Sequence, residues 1–98
     1  MRLNVISEQK QLRATVRGMV QGVGFRWHTR EVARRLNLRG YVRNRYDRTV
    51  EVVAEGPDYA LRQFLAFLEQ GPSAAIVKGV DVEWQPRSGA FHGFEVRF

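Results

Sequence analysis

The chain contains no cysteine. That excludes a disulfide framework, a thiolate zinc site and a thiol nucleophile. Histidine is almost missing too. His28 and His92 lie far apart, and neither has a carboxylate at metal-ligand spacing, so no metal and no cofactor are expected. Lysine is scarce: of 16 basic residues only Lys10 and Lys78 are lysine, and the rest are arginine. No apolar run approaches the ~20 residues of a membrane span. The segment from Met1 to Gln11 is polar, without the apolar centre of a leader peptide. A cytoplasmic protein with no membrane contact is the expectation. There are no internal repeats, low-complexity tracts or linkers.

What remains is 98 residues, 44% of them hydrophobic, with a formal charge of +6. That length makes one domain with one core. Residues 1–10 read as a tail or short extension, and residues 11–98 as the domain. The arginines crowd between Arg26 and Arg48. Such a field invites nucleic acid, but it steers any small phosphorylated molecule equally well.

Periodicity divides the domain. Leu12, Ala14 and Val16 alternate with polar residues, a half-buried strand. Phe25, Thr29, Val32, Ala33 and Leu36 fall at helical spacing. Asn37 is placed to cap that helix in the left-handed conformation, with Leu38 folding back. Residues 40–45 read as a second strand, residues 46–49 as a hairpin turn, and Val50, Val52 and Ala54 as a third strand. Pro57 is expected at the first position of a second helix, whose stripe is Leu61, Phe64, Leu65 and Leu68. Gly71-Pro72 ends it. Val80, Val82 and Trp84 mark a fourth strand, residues 85–92 a loop, and Phe94, Val96 and Phe98 a terminal strand. The aromatics are read as core. The order is that of an α+β, ferredoxin-like β-α-β-β-α-β sandwich: an antiparallel sheet, two helices on one face, and room for a short fifth strand at the C-terminus. The first strand is expected beside the strand that carries Asn44.

Between the first strand and the first helix runs Gly18-Met19-Val20-Gln21-Gly22-Val23-Gly24-Phe25-Arg26. Its glycines let the backbone turn N–H groups inward. The helix start adds free N–H groups and the positive end of its dipole. Arg26 sits poorly for the helix there, but its guanidinium fork matches two oxygens of a phosphate. On local chemistry two readings stand side by side: an anion cradle with its own arginine, or a tight turn with Arg26 on a solvated face. The Walker pattern fails for want of lysine, and the dinucleotide fingerprint fails because Trp27 stands where its third glycine belongs. His28 lies off the apolar stripe and reads as a surface residue. Asn44 is a poor strand residue by propensity. An amide beside a cradle can hold a water, although an asparagine near a turn more often bonds its own backbone.

Two stretches then carry a resemblance over nearly the whole chain. Gly18 to Arg26 resembles the first signature of the acylphosphatases, and Gly40-Tyr41-Val42-Arg43-Asn44-Arg45-Tyr46-Asp47-Arg48-Thr49-Val50-Glu51 resembles the second. One departure is Arg48, where the family usually has glycine; it points to a different turn or to strain. The resemblance implies hydrolysis of acyl phosphates to a carboxylate and inorganic phosphate, without a metal and without a covalent enzyme intermediate. By the same resemblance Arg26 grips the phosphoryl oxygens, Asn44 orients the attacking water, and the backbone N–H groups of Gln21, Gly22, Val23, Gly24 and Phe25 complete the cradle. The expected partners are a small-molecule acyl phosphate, with inorganic phosphate or sulfate as product or inhibitor, and the chain is expected to be a monomer.

Two other functions compete. RNA-recognition modules share this topology, but Val42, Arg43 and Asn44 stand where their motif needs Gly/Ala, an aromatic and Val. A phosphate- or carbamoyl-phosphate-binding domain without turnover is the other; larger carbamoyltransferase maturation proteins carry a similar domain.

Overall fold

The computed structural model describes residues 8–98. The elements are β1 (Gln9–Met19), α1 (Phe25–Arg35), β2 (Arg39–Asn44), β3 (Val50–Pro57), α2 (Asp58–Gln70), β4 (Ile76–Pro86) and β5 (Phe94–Arg97). They form one five-stranded sheet in the order β4-β1-β3-β2-β5. Every neighbouring pair is antiparallel except β2 and β5, which run parallel. The sheet is therefore mixed rather than antiparallel throughout. The alternation of Phe94 and Val96 fits either direction, and the long loop after β4 lets the chain cross the sheet and return parallel.

The strand alternation sends Leu12, Ala14, Val16, Val42, Val50, Val52 and Ala54 to one face, where all are buried. Phe25, Thr29 and Ala33 of α1 and Ala60, Leu61, Phe64 and Leu68 of α2 close the core from above. Burying a side chain of this size contributes roughly 1.5–3 kcal/mol. Helix α1 packs on β2 and β5, and α2 on β1, β3 and β4. The C-terminus of α1 closes as expected: Asn37 has φ 58°. Its N–H donates to Arg34 O (3.1 Å), and the Leu38 N–H donates to Ala33 O (2.9 Å), the paired bonds of a left-handed cap.

Several expectations shift. β1 starts at Gln9, so Gln9 and Lys10 pair with Pro57 and Gly56 instead of belonging to a tail; residues 1–7 of that expected tail lie outside the described residues. Pro57 ends β3 and caps α2 rather than opening it. β4 runs on through Gln85 and Pro86, which were expected in a loop, because both register with β1. β1 lies between β3 and β4, so it is not adjacent to the strand carrying Asn44. The aromatics divide: Phe25, Phe64 and Phe94 are core, while Trp27, Tyr46, Tyr59, Trp84 and Phe98 are exposed. Trp84 sits on an edge strand under the cationic groups of Lys10 and Arg62.

The loop from β4 to β5 crosses the sheet face opposite the helices. Glu55 holds it. Its buried carboxylate accepts from the Ser88 N–H and hydroxyl (2.7 Å each) and from the Gly89 N–H (3.0 Å). It also accepts from Gln11 Nε2 (2.7 Å). Burial pushes this carboxyl upward, but the bonds from Ser88, Gln11 and Gly89 outweigh it and hold its pKa below the usual value.

Candidate active site

The end of β1, the start of α1, the end of β2 and the end of β5 converge on one edge of the sandwich. A β-bulge at Arg17–Gly18 turns the last residues of β1. Gly18 has φ 133°, and a Cβ there would stand 2.1 Å from Ile76 O, so only glycine fits. Residues 21–24 then bend into α1. Gly22 and Gly24 both have φ 76°, the left-handed region where glycine is at no disadvantage. Gly24 caps α1 without any side-chain hydrogen bond, and no acidic residue occupies the first turn. The helix start therefore keeps donors and positive dipole for a ligand. Phe25, 1% exposed, pins this turn in the core, its ring 6.3 Å from that of Phe67.

These pieces line a cleft of about 320 Å³ that includes Gly22, Gly24, Phe25, Arg26, Arg30 and Asn44. Among the described residues no Asp, Glu or His side chain lines it, and the ionisable side chains that do, Arg26 and Arg30, are both cationic, which favours an anion. Arg26 Nη1 donates to Arg97 O (3.2 Å), and its guanidinium lies over the Phe98 ring, 4.8 Å from the centroid. Neither contact neutralises it, so charge and most of its N–H fork stay available. Arg30, by contrast, pairs with Glu31 at 3.2 Å.

Asn44 also lines the cleft, and its Oδ1 is buried without a hydrogen-bond partner. Asn44 thus lines one cleft with Gly22, Gly24, Phe25 and Arg26, while Gln21 and Val23 of the expected cradle are not among its lining residues. It is α1, not β1, that sits over β2 and brings the cradle to it.

One tie had no signal in the residue pattern. Gln21 was expected to offer only its backbone N–H. Its side-chain Nε2 reaches across the start of β3 and donates to Arg45 O and Thr49 O, both at 2.9 Å. The cradle and the hairpin after Asn44 are thereby clasped by one amide. The hairpin carries its own bonds. Asp47 accepts from the Thr49 hydroxyl (2.6 Å) and N–H (3.0 Å), and these bonds hold its pKa below the usual value. Arg48 takes φ 72°, so the turn keeps a glycine-type backbone and the arginine bears the strain. Glu51, buried on β3, accepts from Arg43, from Arg45 (2.6 Å) and from the Tyr41 hydroxyl (3.2 Å). Burial pushes Glu51 up, but the two guanidinium bonds bring it below its usual value. Tyr41 is raised by burial and by the adjacent Glu51 charge.

His28 is exposed, with Nδ1 2.9 Å from Gly24 O. Trp27 and Phe98 form the exposed rim of the cleft. Trp27 falls outside the apolar stripe of α1, and that spacing could have marked it as a rim residue.

The acylphosphatase family profile matches residues 12–96 of the chain. An acylphosphatase from Salinibacter ruber is 47% identical over 89 residues, covering 91% of this chain and 94% of that protein. The crystal structure of an acylphosphatase from Bacillus subtilis superposes with a TM-score of 0.87 at 36% identity, covering 91% and 99% of the two chains. The structure of T. kodakarensis HypF superposes with a TM-score of 0.78 at 32% identity, covering 91% of this chain but 12% of that one.

Proposed function

The chain belongs to the acylphosphatase family and hydrolyses acyl phosphates, and we propose that Arg26, Asn44 and the backbone N–H groups of Gln21 to Phe25 carry out that reaction. The observation that supports this reading most is that one cleft is lined by Asn44 together with Arg26 and the left-handed Gly22 and Gly24.

The phosphoryl group enters as an anion, drawn by Arg26 and the helix dipole. The fork of Arg26 binds two phosphoryl oxygens, and the cradle N–H groups bind the remainder. The Asn44 amide hydrogen-bonds a water and turns its lone pair toward phosphorus. As the water oxygen bonds to phosphorus, the bond from phosphorus to the acyl oxygen breaks and a carboxylate leaves. One water proton passes to a phosphoryl oxygen or to solvent. A carboxylate is a good leaving group, and among the described residues no Asp, Glu or His side chain lines the cleft to protonate it. Positioning and charge stabilisation then carry the rate, as in phosphoryl transfer generally.

The arginines on the open sheet face weigh against the RNA reading. Arg43 and Arg45 are engaged by Glu51 and Arg17 by Asp81, and the Tyr41 ring is covered by Arg97 at 4.0 Å. The base-stacking platform is therefore occupied. We read the protein as a cytoplasmic monomer acting on a small molecule, inhibited by its product phosphate or by sulfate. No helix among the described residues is long and apolar enough to cross a membrane. The test separates binding from chemistry. Phosphate binding read at the amides of residues 21–25 should fail for Arg26→Ala and succeed for Asn44→Ala, while both lose turnover. Normal phosphate shifts at residues 21–25 in Arg26→Ala contradict the assignment. Phosphate binding by the wild-type chain without turnover leaves a binding domain.

A further inference from the structure

A second cavity, about 560 Å³, runs along β5 from Phe94 to Arg97, between the C-terminus of α1, the start of β2 and residues 90–93. It shares no residue with the cleft. Its charged lining is Arg34, Arg39, Arg97 and Glu95, with His92 beside them. Glu95 is answered by Arg97 at 3.3 Å, so Arg34 and Arg39 leave the cavity cationic. Arginines at a helix C-terminus commonly bond the last carbonyls. Here the capping bonds of Asn37 and Leu38 already satisfy Arg34 O and Ala33 O. Arg34 instead donates Nε to Phe94 O of β5 (3.2 Å). Arg39 is exposed and in the β2–β3 register stands opposite Glu55, whose carboxylate is taken up by Gln11, Ser88 and Gly89. Phe91 adds an aromatic wall.

We propose that this cavity binds a small phosphorylated molecule, its phosphoryl group between Arg34 and Arg39 and its organic part against Phe91, and that occupancy is felt at the cleft through β5. The link is short. The Arg97 side chain lines the cavity and stacks on Tyr41, while its carbonyl accepts from Arg26 on the other side of the sandwich edge. Arg34 holds the start of the same strand. A ligand that draws Arg34 or Arg97 moves β5, and with β5 the anchor of the phosphate-gripping arginine. The kinetic part of this proposal rests on the function proposed above; the binding part does not.

The probe is phenyl phosphate, a phosphate ester with an aromatic group rather than an acyl phosphate. Amide NMR spectra of the full chain are followed during titration at physiological salt. The expected result is two sets of shifts, one at residues 21–25 and one at residues 34–39 and 90–94. Arg26→Ala should abolish the first set alone. Arg39→Glu should weaken the second about tenfold or more, the scale of one charge-assisted hydrogen bond. In the hydrolysis assay phenyl phosphate should lower kcat as well as raise apparent KM, and should act only on apparent KM in Arg39→Glu. Shifts confined to residues 21–25 overturn the site. A second set that survives Arg39→Glu unchanged shows general attraction to positive charge and overturns it too. Binding there with purely competitive kinetics overturns the link through β5. A chain without acyl phosphate turnover leaves the spectral result to decide the site alone.

Discussion

Replacing Gln21 by alanine removes both donors that join the cradle to the hairpin. Each bond is 2.9 Å long, and a bond of this kind contributes about 0.5–1.5 kcal/mol net. Neither carbonyl is orphaned by the change. Thr49 O keeps the Arg45 N–H at 2.9 Å, and Arg45 O keeps the Arg48 N–H at 3.2 Å. The loss is therefore about 1–3 kcal/mol, with no added desolvation penalty. In a domain of this size that lowers Tm by roughly 5–20 °C. The effect on rate follows from geometry. Asn44 directly precedes the clasped hairpin, and a displacement of ~1 Å at a reacting group costs about 10²-fold. Gln21→Ala should lower kcat by roughly 10–10², with a smaller change in KM because Arg26 is untouched. Gln21→Glu should be worse on both counts, since a carboxylate cannot donate and would face two carbonyl oxygens. Thermal melts and steady-state hydrolysis of benzoyl phosphate read both effects. If Gln21→Ala keeps the wild-type Tm and kcat, or if Gln21→Glu is no worse than Gln21→Ala, the clasp has no such role.

Three further expectations follow from the geometry. Arg26→Lys should keep the charge but lose the fork, lowering kcat/KM about 10–10²-fold; a lysine variant near wild type in the same assay removes the bidentate grip. Arg48→Gly should relieve the left-handed backbone at φ 72° and raise stability by about 0.5–1 kcal/mol without changing kcat, and a lowered urea midpoint would show that the turn is not strained. Glu51 and Glu55 both titrate below their usual 4.5 in the folded protein. The unfolded chain therefore takes up protons first as pH drops, so their stabilisation is complete above about pH 4.5 and is lost as pH falls through the lowered folded values. Urea midpoints across pH 3–6 should decline on the acid side, and Glu55→Gln should flatten that decline; an equally steep decline in the variant contradicts the role given to Glu55.

Local pattern carried most of the elements. The alternation of Leu12, Ala14 and Val16 and the stripe from Phe25 to Leu36 each needed only one face of one element. Pairing was harder to read. That β3 separates β1 from β2, and that β5 runs parallel to β2, are decided by which edges remain free once the helices have packed. Neither leaves a mark in the residues themselves. The turn from β1 into α1 was legible because Gly18, Gly22 and Gly24 lie close together and Arg26, a cation, stands in the first helical turn. The clasp by Gln21 was not, because its targets are main-chain carbonyls, which any residue supplies. Trp27, Tyr46 and Phe98 were misread as core because aromatic character signals burial in general. Their exposure follows from positions at a helix flank, a turn and a strand end.

The most direct test of the account is the hydrolysis of benzoyl phosphate by the wild-type chain and by Asn44→Ala, each with EDTA present. The account predicts turnover that EDTA leaves unchanged and that Asn44→Ala lowers by roughly 10²–10³ in kcat, with phosphate still bound. An Asn44→Ala protein with wild-type kcat would remove the water-orienting amide, and with it the central claim about how this cleft works.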